Sequence, residues 1–239
     1  MRFSLSPCLP RSLSFQWIFG LKLSLPMPRR ALRKIDPSLD LSRHLKLLAE
    51  LPRPWDVLRL FGREAPLEVE VGSGKGLFLQ SAATRNPAHN FLGIEIATKY
   101  ARFAAARAAR SDLANVVMVH GDAQPIFADL LPDNSLAAVH VYFPDPWWKK
   151  RHAKRRVLNE QFVRHIERTL VSGGSLHYWT DVRERFDETL ALLATKTTLV
   201  GPLEVQEQAA EHDLDYRTHF ERRMRLAELP VYRTEFRKR

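Results

Sequence analysis

The chain has 239 residues, of which 45% are hydrophobic, so it suits one α/β domain with short extensions and is not disordered throughout. Its single cysteine, Cys8, excludes an intramolecular disulfide and a cysteine-based zinc site, and no stretch approaches the roughly 18 apolar residues of a membrane-spanning helix. The formal net charge of +10 predicts a polyanionic partner, and we expect a soluble, cytoplasmic protein.

The first thirty residues differ in composition from the rest of the chain. Residues 1–35 contain seven basic residues and no acidic one, so they carry +7 of the net charge. The stretch from Leu13 to Leu25 is broken by a glycine and a lysine, and it lacks the apolar core and cleavage site of a secretory signal. An organellar transit peptide and a translation start at Met27 remain open. We expect residues 1–30 to be a poorly ordered basic extension and residues 31–239 to form a single domain.

From Pro66 onward, short apolar runs alternate with helical patterns. The predicted strands and helices, in chain order, are Leu67–Val71, helix Leu77–Thr84, Phe91–Glu95, helix Ala97–Arg110, Asn115–Val119, Leu136–Phe143, helix Val157–Leu170, Ser175–Trp179 and Val231–Phe236. Leu136–Phe143 is apolar at almost every residue, which is typical of a central parallel strand covered on both faces. The alternation predicts a doubly wound α/β sheet, whose ligands bind beyond the carboxyl ends of the strands.

A glycine-rich turn, Gly72-Ser73-Gly74-Lys75-Gly76, separates the first predicted strand from the first predicted helix. Its spacing does not match a nucleoside triphosphate loop, which has four residues between Gly and Gly-Lys and then Ser or Thr. The third glycine comes one position early for the G-x-G-x-x-G pattern of a dinucleotide site. S-adenosylmethionine has no phosphate and carries a cationic sulfonium beside an amino acid moiety, so it favours acidic residues at the strand ends.

Three acidic residues stand at successive strand ends. Glu70 lies two residues before the first glycine, Glu95 ends the second strand and Asp122 follows the third. Glu95 is placed to accept hydrogen bonds from both ribose hydroxyls, and Asp122 to accept one from the adenine amino group. Each acid alone is common in a loop, but the three together favour S-adenosylmethionine over the other two cofactors.

The most specific segment runs from Tyr142 to Arg156 and leaves the central strand beside the predicted cofactor site. Two prolines flank Asp145, two tryptophans follow it, and six basic side chains lie between Lys149 and Arg156. Stacking on tryptophan and neutralisation of phosphates together suit RNA. The alternative interpretation is that this segment is only a basic loop with two partly buried tryptophans and does not bind RNA.

Five segments carry a pattern specific to one family: Glu70–Gly76, Phe143–His152, Thr180-Asp181, Thr218–Glu221 and Val231–Arg233. Together they resemble the bacterial tRNA (guanine-N7)-methyltransferases. The resemblance covers about residues 55 to 236, and its Pro-Asp-Pro-Trp-x-Lys-x-x-His portion is highly specific. It implies a Rossmann-like class I methyltransferase fold with a mostly parallel seven-stranded sheet, S-adenosylmethionine as methyl donor, and guanosine 46 of the tRNA variable loop as acceptor.

The resemblance also implies roles for individual residues. The implied cofactor-binding residues are Glu70, Gly72, Gly74, Gly76, Glu95, Asp122 and Asp145, and Asp145 is the implied active-site acid. The residues that fall where the family contacts its substrate are Lys149, Asp181, Thr218, His219, Phe220 and Glu221. Two residues depart from the family pattern, Trp148 in place of Pro or a polar residue and His219 in place of the common Lys or Arg. Both departures concern contact with RNA rather than the reaction.

The chemistry of guanine N7 defines what these residues have to do. N7 carries an in-plane lone pair and no proton, so methylation needs alignment and exclusion of water rather than a general base. We expect Asp145 to accept hydrogen bonds from guanine N1–H and N2, and to stabilise the positive charge that develops on the purine. Asp181 is a second candidate for the guanine edge. We expect Thr218–Glu221 to form a loop that returns over the active site.

Alternative functions remain open. The sequence Asp145-Pro146-Trp147-Trp148 approximates the Asp/Asn-Pro-Pro-aromatic loop of methyltransferases that act on an exocyclic base amine. A non-catalytic RNA-binding protein on the same fold is a second alternative, and a dinucleotide-dependent oxidoreductase a distant third.

The nine histidines include no H-x-x-x-H pair, and we expect no metal. We expect a monomer or homodimer, and a solvated face for the basic residues of the second helix, Lys99, Arg102, Arg107 and Arg110.

Overall fold

The computed structural model describes residues 32–148, 151, 155–207, 209–212 and 215–239. Lys34–Arg239 belong to one compact unit. The expected basic extension at residues 1–30 lies outside the described residues.

Strands and helices alternate along the described chain. The strands are β1 (Leu45–Leu47), β2 (Leu67–Val71), β3 (Asn90–Glu95), β4 (Val116–His120), β5 (Leu136–Tyr142), β6 (Leu170–Thr180), β7 (Val200–Leu203) and β8 (Tyr232–Arg237). The helices are α1 (Val57–Phe61), α2 (Leu77–Arg85), α3 (Thr98–Arg110), α4 (Ala123–Pro125), α5 (Glu160–Thr169), α6 (Arg183–Lys196) and α7 (His219–Leu226). A 3-10 turn at Leu48–Glu50 and a π-helical turn at Ile126–Leu130 complete the described elements.

The strands form one sheet in the order β1-β4-β3-β2-β5-β6-β8-β7. Strands β1 to β6 pair in parallel, and β8 is antiparallel to both of its neighbours. The chain leaves the centre of the sheet in one direction from β2 and in the other from β5. The strand order therefore reverses between β2 and β5. This place is the switch point of the sheet, where doubly wound sheets bind their ligands.

The predicted doubly wound, mostly parallel sheet is confirmed, but its expected number of seven strands is wrong. The described sheet has eight strands, and two of them were not predicted: β1, which pairs with β4, and β7, which pairs with β8, at opposite edges of the sheet. Strands of three and four residues are too short to show a periodic pattern of hydrophobicity, so the sequence gives no signal for them.

Hydrophobic residues cover both faces of the sheet. Successive residues of a strand point to opposite faces, so Val141 belongs to one buried cluster and Tyr142 to the other. The first cluster includes side chains of α1, α5, α6 and the π-helical turn, and the second includes side chains of α2 and α3. Helices on both faces hold the carboxyl ends of β2, β3, β4 and β5 at one edge.

Two local predictions differ from the structure. The predicted strand begins at Ser175, but β6 begins at Leu170 and includes Gly173 and Gly174. An added Cβ at Gly174 would lie 3.1 Å from two carbonyl oxygens of β5, so glycine is required where the two strands approach each other. Thr218–Glu221 is predicted to be a loop, but Thr218 caps α7 and the other three residues form its first turn. The sequence Thr-x-x-Glu is a helix-capping signature, which accounts for the difference.

Candidate active site

The turn between β2 and α2 has a backbone conformation that favours glycine. Gly72, Gly74 and Gly76 have φ values of 78°, 52° and 67°, all in the left-handed region. An added Cβ at Gly76 would lie 2.7 Å from the Cβ of Ala104, so this glycine lets α2 pack on α3. An added Cβ at Gly72 or Gly74 would meet no atom within 4 Å. The backbone at these two glycines is therefore open to the close approach of a ligand.

Glu95 connects the end of β3 to the glycine turn. Its Oε2 accepts a hydrogen bond from the backbone N–H of Gly74 at 2.8 Å, and its Oε1 accepts one from Ala97 at 2.8 Å. The side chain is buried at the carboxyl end of the strand. Each carboxylate oxygen has a second lone pair, so Glu95 can hold the turn and still accept hydrogen bonds from a ligand.

Glu70 is a buried carboxyl group with an unsatisfied oxygen. Its exposed fraction is 2%, and its Oε2 has no hydrogen-bond partner among the described residues. Burial and then the charge of Glu95 raise the pKa of Glu70 well above its usual range, against the opposing effect of the Ser73 hydroxyl. A buried polar atom without a partner requires an explanation. A cationic group of a ligand would supply the missing partner, which fits the methionine part of S-adenosylmethionine.

Two further residues lie at the same edge of the sheet. Asp122 is exposed after β4, and its Oδ1 accepts a hydrogen bond from the backbone N–H of Gln124 at 2.9 Å. Ile96 follows Glu95 directly and is 70% exposed, an unusual position for a large apolar side chain. Ile96 is not among the residues predicted from the sequence, although an apolar residue directly after the predicted ribose-binding acid is a usable signal.

The segment after β5, residues 143–148, is called the Asp145 segment and begins with a strained backbone. Phe143 and Trp147 have φ values of 49° and 42°, which non-glycine residues rarely adopt and which cluster at functional sites. The backbone N–H of Phe143 donates to the carbonyl oxygen of Trp179 at the end of β6, at 2.8 Å. The guanidinium of Arg155 lies 5.0 Å from the ring centre of Trp147. Asp145 is exposed between these two fixed positions.

Helix α7 packs against the start of this segment. The rings of Phe143 and Phe220 lie 4.9 Å apart, so the first turn of α7 supports the residue from which the Asp145 segment departs. The Thr218 hydroxyl accepts a hydrogen bond from the backbone N–H of Glu221 at 2.9 Å. The structure thus brings the Asp145 segment and the predicted substrate residues of α7 together.

The other predicted substrate residues have different environments. Asp181 directly follows β6 and is partly exposed, whereas Glu221 is only 2% exposed. Glu221 accepts a hydrogen bond from the backbone N–H of Arg217 at 2.6 Å and forms ion pairs with Arg225 and Arg233 at 3.4 and 3.5 Å. These contacts occupy its carboxylate, so its substrate role stays a prediction. Lys149 lies outside the described residues.

Comparisons with known proteins identify the family. A family model described as "Putative methyltransferase" matches residues 64–234. A tRNA (guanine-N(7)-)-methyltransferase of Rhodopirellula baltica is 52% identical over 221 residues, which cover 90% of this chain and 82% of that protein. The chain belongs to the tRNA (guanine-N7)-methyltransferase family. The family resemblance noted in the sequence is therefore confirmed.

Another member of the family supports this assignment, and two solved structures have a similar fold. The Listeria monocytogenes enzyme of the same name is 31% identical over 176 residues, with 74% of this chain and 82% of that protein covered. The aminoglycoside resistance methyltransferase NpmB1 has a TM-score of 0.51 at 23% identity, covering 80% of this chain and 95% of its own. The precorrin-6y C5,15-methyltransferase of Geobacter metallireducens has a TM-score of 0.50 at 17% identity, with coverages of 76% and 83%. At such identities these two structures support the methyltransferase fold alone.

The described residues also bear on metal binding and on membrane insertion. No group of three or more His, Cys, Asp or Glu side chains in this part of the chain is arranged to hold a metal ion. None of the described helices of this family member has the length and apolar character required to cross a bilayer.

Proposed function

We propose that this chain transfers the methyl group of S-adenosylmethionine to N7 of guanosine 46 in the variable loop of tRNA. The observation that carries the proposal is the 52% identity over 221 residues with the Rhodopirellula baltica enzyme, whose name states guanine-N7 methylation of tRNA. The arrangement of the acidic residues and the glycine turn at one edge of the sheet supports the same conclusion.

The residues at the switch point fit the proposed cofactor. Glu70, with its unsatisfied Oε2, would hold the cationic methionine part, and the open backbone at Gly72 and Gly74 would allow its approach. The remaining lone pairs of Glu95 would accept the ribose hydroxyls. Asp122 would accept the adenine amino group, and the exposed Ile96 would support the face of the adenine ring.

The segment after β5 would present guanine to the methyl donor. When bound, S-adenosylmethionine would supply an electrophilic methyl group. The bond from N7 to the methyl carbon would form as the methyl carbon–sulfur bond breaks, so S-adenosylhomocysteine would leave and N7 would lose no proton. Asp145 would fix the guanine edge through N1–H and N2 and stabilise the positive charge that arrives on the purine. Asp181, at the end of β6, is the second carboxylate in a position to contact the base. The strained backbone at Phe143 supports a functional role for this segment.

We propose that the reaction proceeds without a metal, because N7 is already a nucleophile and the acids at the strand ends have cofactor roles. We also propose that the protein acts in the cytoplasm, where its tRNA substrate is made. The predicted site residues that the structure describes lie at one edge of one sheet or on the helix packed against it. A monomer is therefore sufficient, and a homodimer remains compatible with the proposal.

The experiment is to incubate the protein with methyl-labelled S-adenosylmethionine and unmodified tRNA transcripts, digest the RNA and identify the labelled nucleoside by mass spectrometry. We expect label in 7-methylguanosine, and we expect its loss when the variable-loop guanosine is replaced. Label in N2-methylguanosine or N6-methyladenosine would instead identify an enzyme that acts on an exocyclic amine. Cofactor binding without any label would favour an RNA-binding role.

A further inference from the structure

Arg107 of α3 has a different environment from the other basic residues of that helix. Lys99, Arg102 and Arg110 are exposed, as the sequence predicts, but Arg107 is partly buried. Its Nη1 donates to Oε1 of Gln80 in α2 at 2.7 Å, and its Nη2 lies 3.1 Å from Nε2 of His219 in α7. One guanidinium therefore connects three helices, and the predicted solvated face is wrong at this position.

The contacts of Arg107 do not provide a counter-charge. Within the described residues its hydrogen bonds go to an amide oxygen and an imidazole nitrogen, and its Nε is buried without a partner. Burial, and then the nearby charge of Arg110, lower the pKa of Arg107. Withdrawing a guanidinium from water without a carboxylate partner is unfavourable. Its position is therefore better explained by what it holds in place than by a gain in stability.

The contact also determines the state of His219. Arginine has only hydrogen-bond donors, so Nε2 of His219 must offer its lone pair to Nη2. A ring whose Nε2 is an acceptor carries its proton on Nδ1 and is uncharged. The contact with Arg107 thus favours the tautomer of His219 that carries its proton on Nδ1 and points Nε2 toward Nη2.

His219 is one contact away from the Asp145 segment. The next residue, Phe220, packs on Phe143 at 4.9 Å between ring centres, and Asp145 follows two residues after Phe143. We propose that Arg107 is a positioning residue for tRNA methylation, which docks the first turn of α7 through His219 and thereby sets the position of the Asp145 segment. This inference rests on the proposed function.

The contact itself is testable by NMR of protein labelled with ¹⁵N-histidine, at a pH where histidine is neutral. The signal of His219 is assigned by its absence from His219→Gln. We expect a protonated Nδ1 and an unprotonated Nε2 in the wild type, and a changed tautomer distribution in Arg107→Met. The same distribution in both proteins would overturn the proposal.

The positioning role is testable by comparing Arg107→Met with Arg102→Met. Both variants remove one positive charge from α3, but Arg102 is exposed and has no contact with α7 among the contacts described. We expect Arg107→Met to lower kcat about 10- to 100-fold at a nearly unchanged KM for tRNA, because misplacement of a reacting group costs rate. Arg102→Met should leave kcat nearly unchanged and confine any loss to KM and its dependence on salt, because it removes a positive charge from an exposed surface. Equal losses in the two variants, or a loss confined to KM, would show that Arg107 acts only through its charge.

A double-mutant cycle separates a shared contact from two independent effects. We expect Arg107→Met combined with His219→Leu to lower kcat little further than either change alone, since both remove one interaction. Independent losses that multiply would overturn the proposal. If the wild type forms no 7-methylguanosine, the proposed function fails. If it does and Arg107→Met behaves as Arg102→Met, only the role of Arg107 fails.

Discussion

The carboxyl group of Glu70 is expected to couple cofactor binding to pH. Because burial and Glu95 raise the pKa of Glu70, the free protein retains a proton there at pH values where an exposed glutamate is ionised. A cationic ligand selects the ionised form, so the affinity for S-adenosylmethionine should rise as pH increases through this raised pKa, with release of a proton. Isothermal titration calorimetry at several pH values, in buffers of different ionisation enthalpy, measures both the affinity and the number of protons released.

Glu70→Gln resembles the protonated carboxyl group at every pH. We expect it to weaken cofactor binding about 10- to 100-fold above the raised pKa, the effect of losing a hydrogen bond to a charged group. We also expect its affinity to be independent of pH and its binding to release no proton. A variant with the pH dependence of the wild type would show that another group is responsible.

Asp145 is expected to act on turnover rather than on cofactor affinity. Asp145→Asn preserves the size of the side chain but removes the charge that we propose to stabilise the methylated purine. We expect the rate constant of methyl transfer, measured under single-turnover conditions, to fall about 100- to 1,000-fold, as for the loss of one preorganised electrostatic group. Equilibrium dialysis should show a nearly unchanged Kd for S-adenosylmethionine. Asp181→Asn, measured in parallel, ranks the two carboxylates, and near wild-type turnover of Asp145→Asn would contradict its assignment.

At the scale of elements, α7 depends on its cap. The Thr218 hydroxyl accepts the backbone N–H of Glu221, and the Glu221 carboxylate accepts that of Arg217. We expect Thr218→Ala to lower the free energy of unfolding by about 1 kcal/mol, the usual cost of losing such a cap. Urea unfolding measures this difference. Thr218→Ser keeps the hydroxyl and should retain most of the stability, so an equal loss in both variants would contradict a capping role.

The strands near the switch point are the part of the fold that the sequence predicts best. Leu136–Tyr142 is buried on both faces and therefore shows a nearly continuous apolar run, and the glycine turn has a local conformational cause. Thr218 and Glu221 also form a capping signature, which is a local signal for the beginning of α7. The prediction of a loop with substrate contacts did not use this signal. Apolar runs, glycine turns and capping signatures are thus sufficient to predict an element whose structure is determined by its own residues.

Contacts between distant elements are the part that the sequence does not predict. Arg107 and His219 are 112 residues apart, and nothing in the pattern around either residue indicates the other. The prediction of a solvated face for Arg107 considered the residues of α3 alone and not the helix that packs against it. The packing of Phe220 on Phe143 is of the same kind, because the meeting of the two segments depends on the assembled sheet.

At the scale of the whole molecule, a row of polar side chains crosses one face of the sheet. Nε2 of His140 in β5 lies 2.8 Å from Oε2 of Glu68 in β2, and its Nδ1 lies 2.9 Å from the Tyr142 hydroxyl. The ring of His177 in β6 stacks on His140 with 4.8 Å between centres. Burial lowers the pKa of His140, so a neutral ring donates from Nε2 to Glu68 and accepts from Tyr142.

The environment of His177 makes its protonation unfavourable in the folded protein. Burial first, and then repulsion from His140 in its protonated form and from the charges of Arg217 and Arg237, lower the pKa of His177 well below its usual value. Its Nε2 lies 2.9 Å from the Ser175 hydroxyl. The carboxylate of Glu235 lies 3.7 Å from its Nδ1, too far to offset the burial.

The acid sensitivity of the fold follows from this shift. Histidine in the unfolded chain has a pKa of about 6.5, so as pH falls below that value the unfolded state binds protons that the folded state does not. Stability is therefore retained above the unfolded pKa and lost as pH falls toward the lowered pKa of the folded state. For one buried histidine the loss between about pH 7.5 and about pH 5.5 approaches 1.4 kcal/mol.

His177→Gln isolates this contribution, because glutamine can bond to Ser175 but does not titrate. The variant removes the His177 proton but leaves the other titrating groups in place, including the raised pKa of Glu70, which opposes the effect at low pH. We expect wild type to lose about 1.4 kcal/mol more stability than His177→Gln between about pH 7.5 and about pH 5.5. Urea unfolding of both proteins at the two pH values measures this difference. Parallel stability curves would mean that His177 accepts its proton in the folded state as readily as in the unfolded chain.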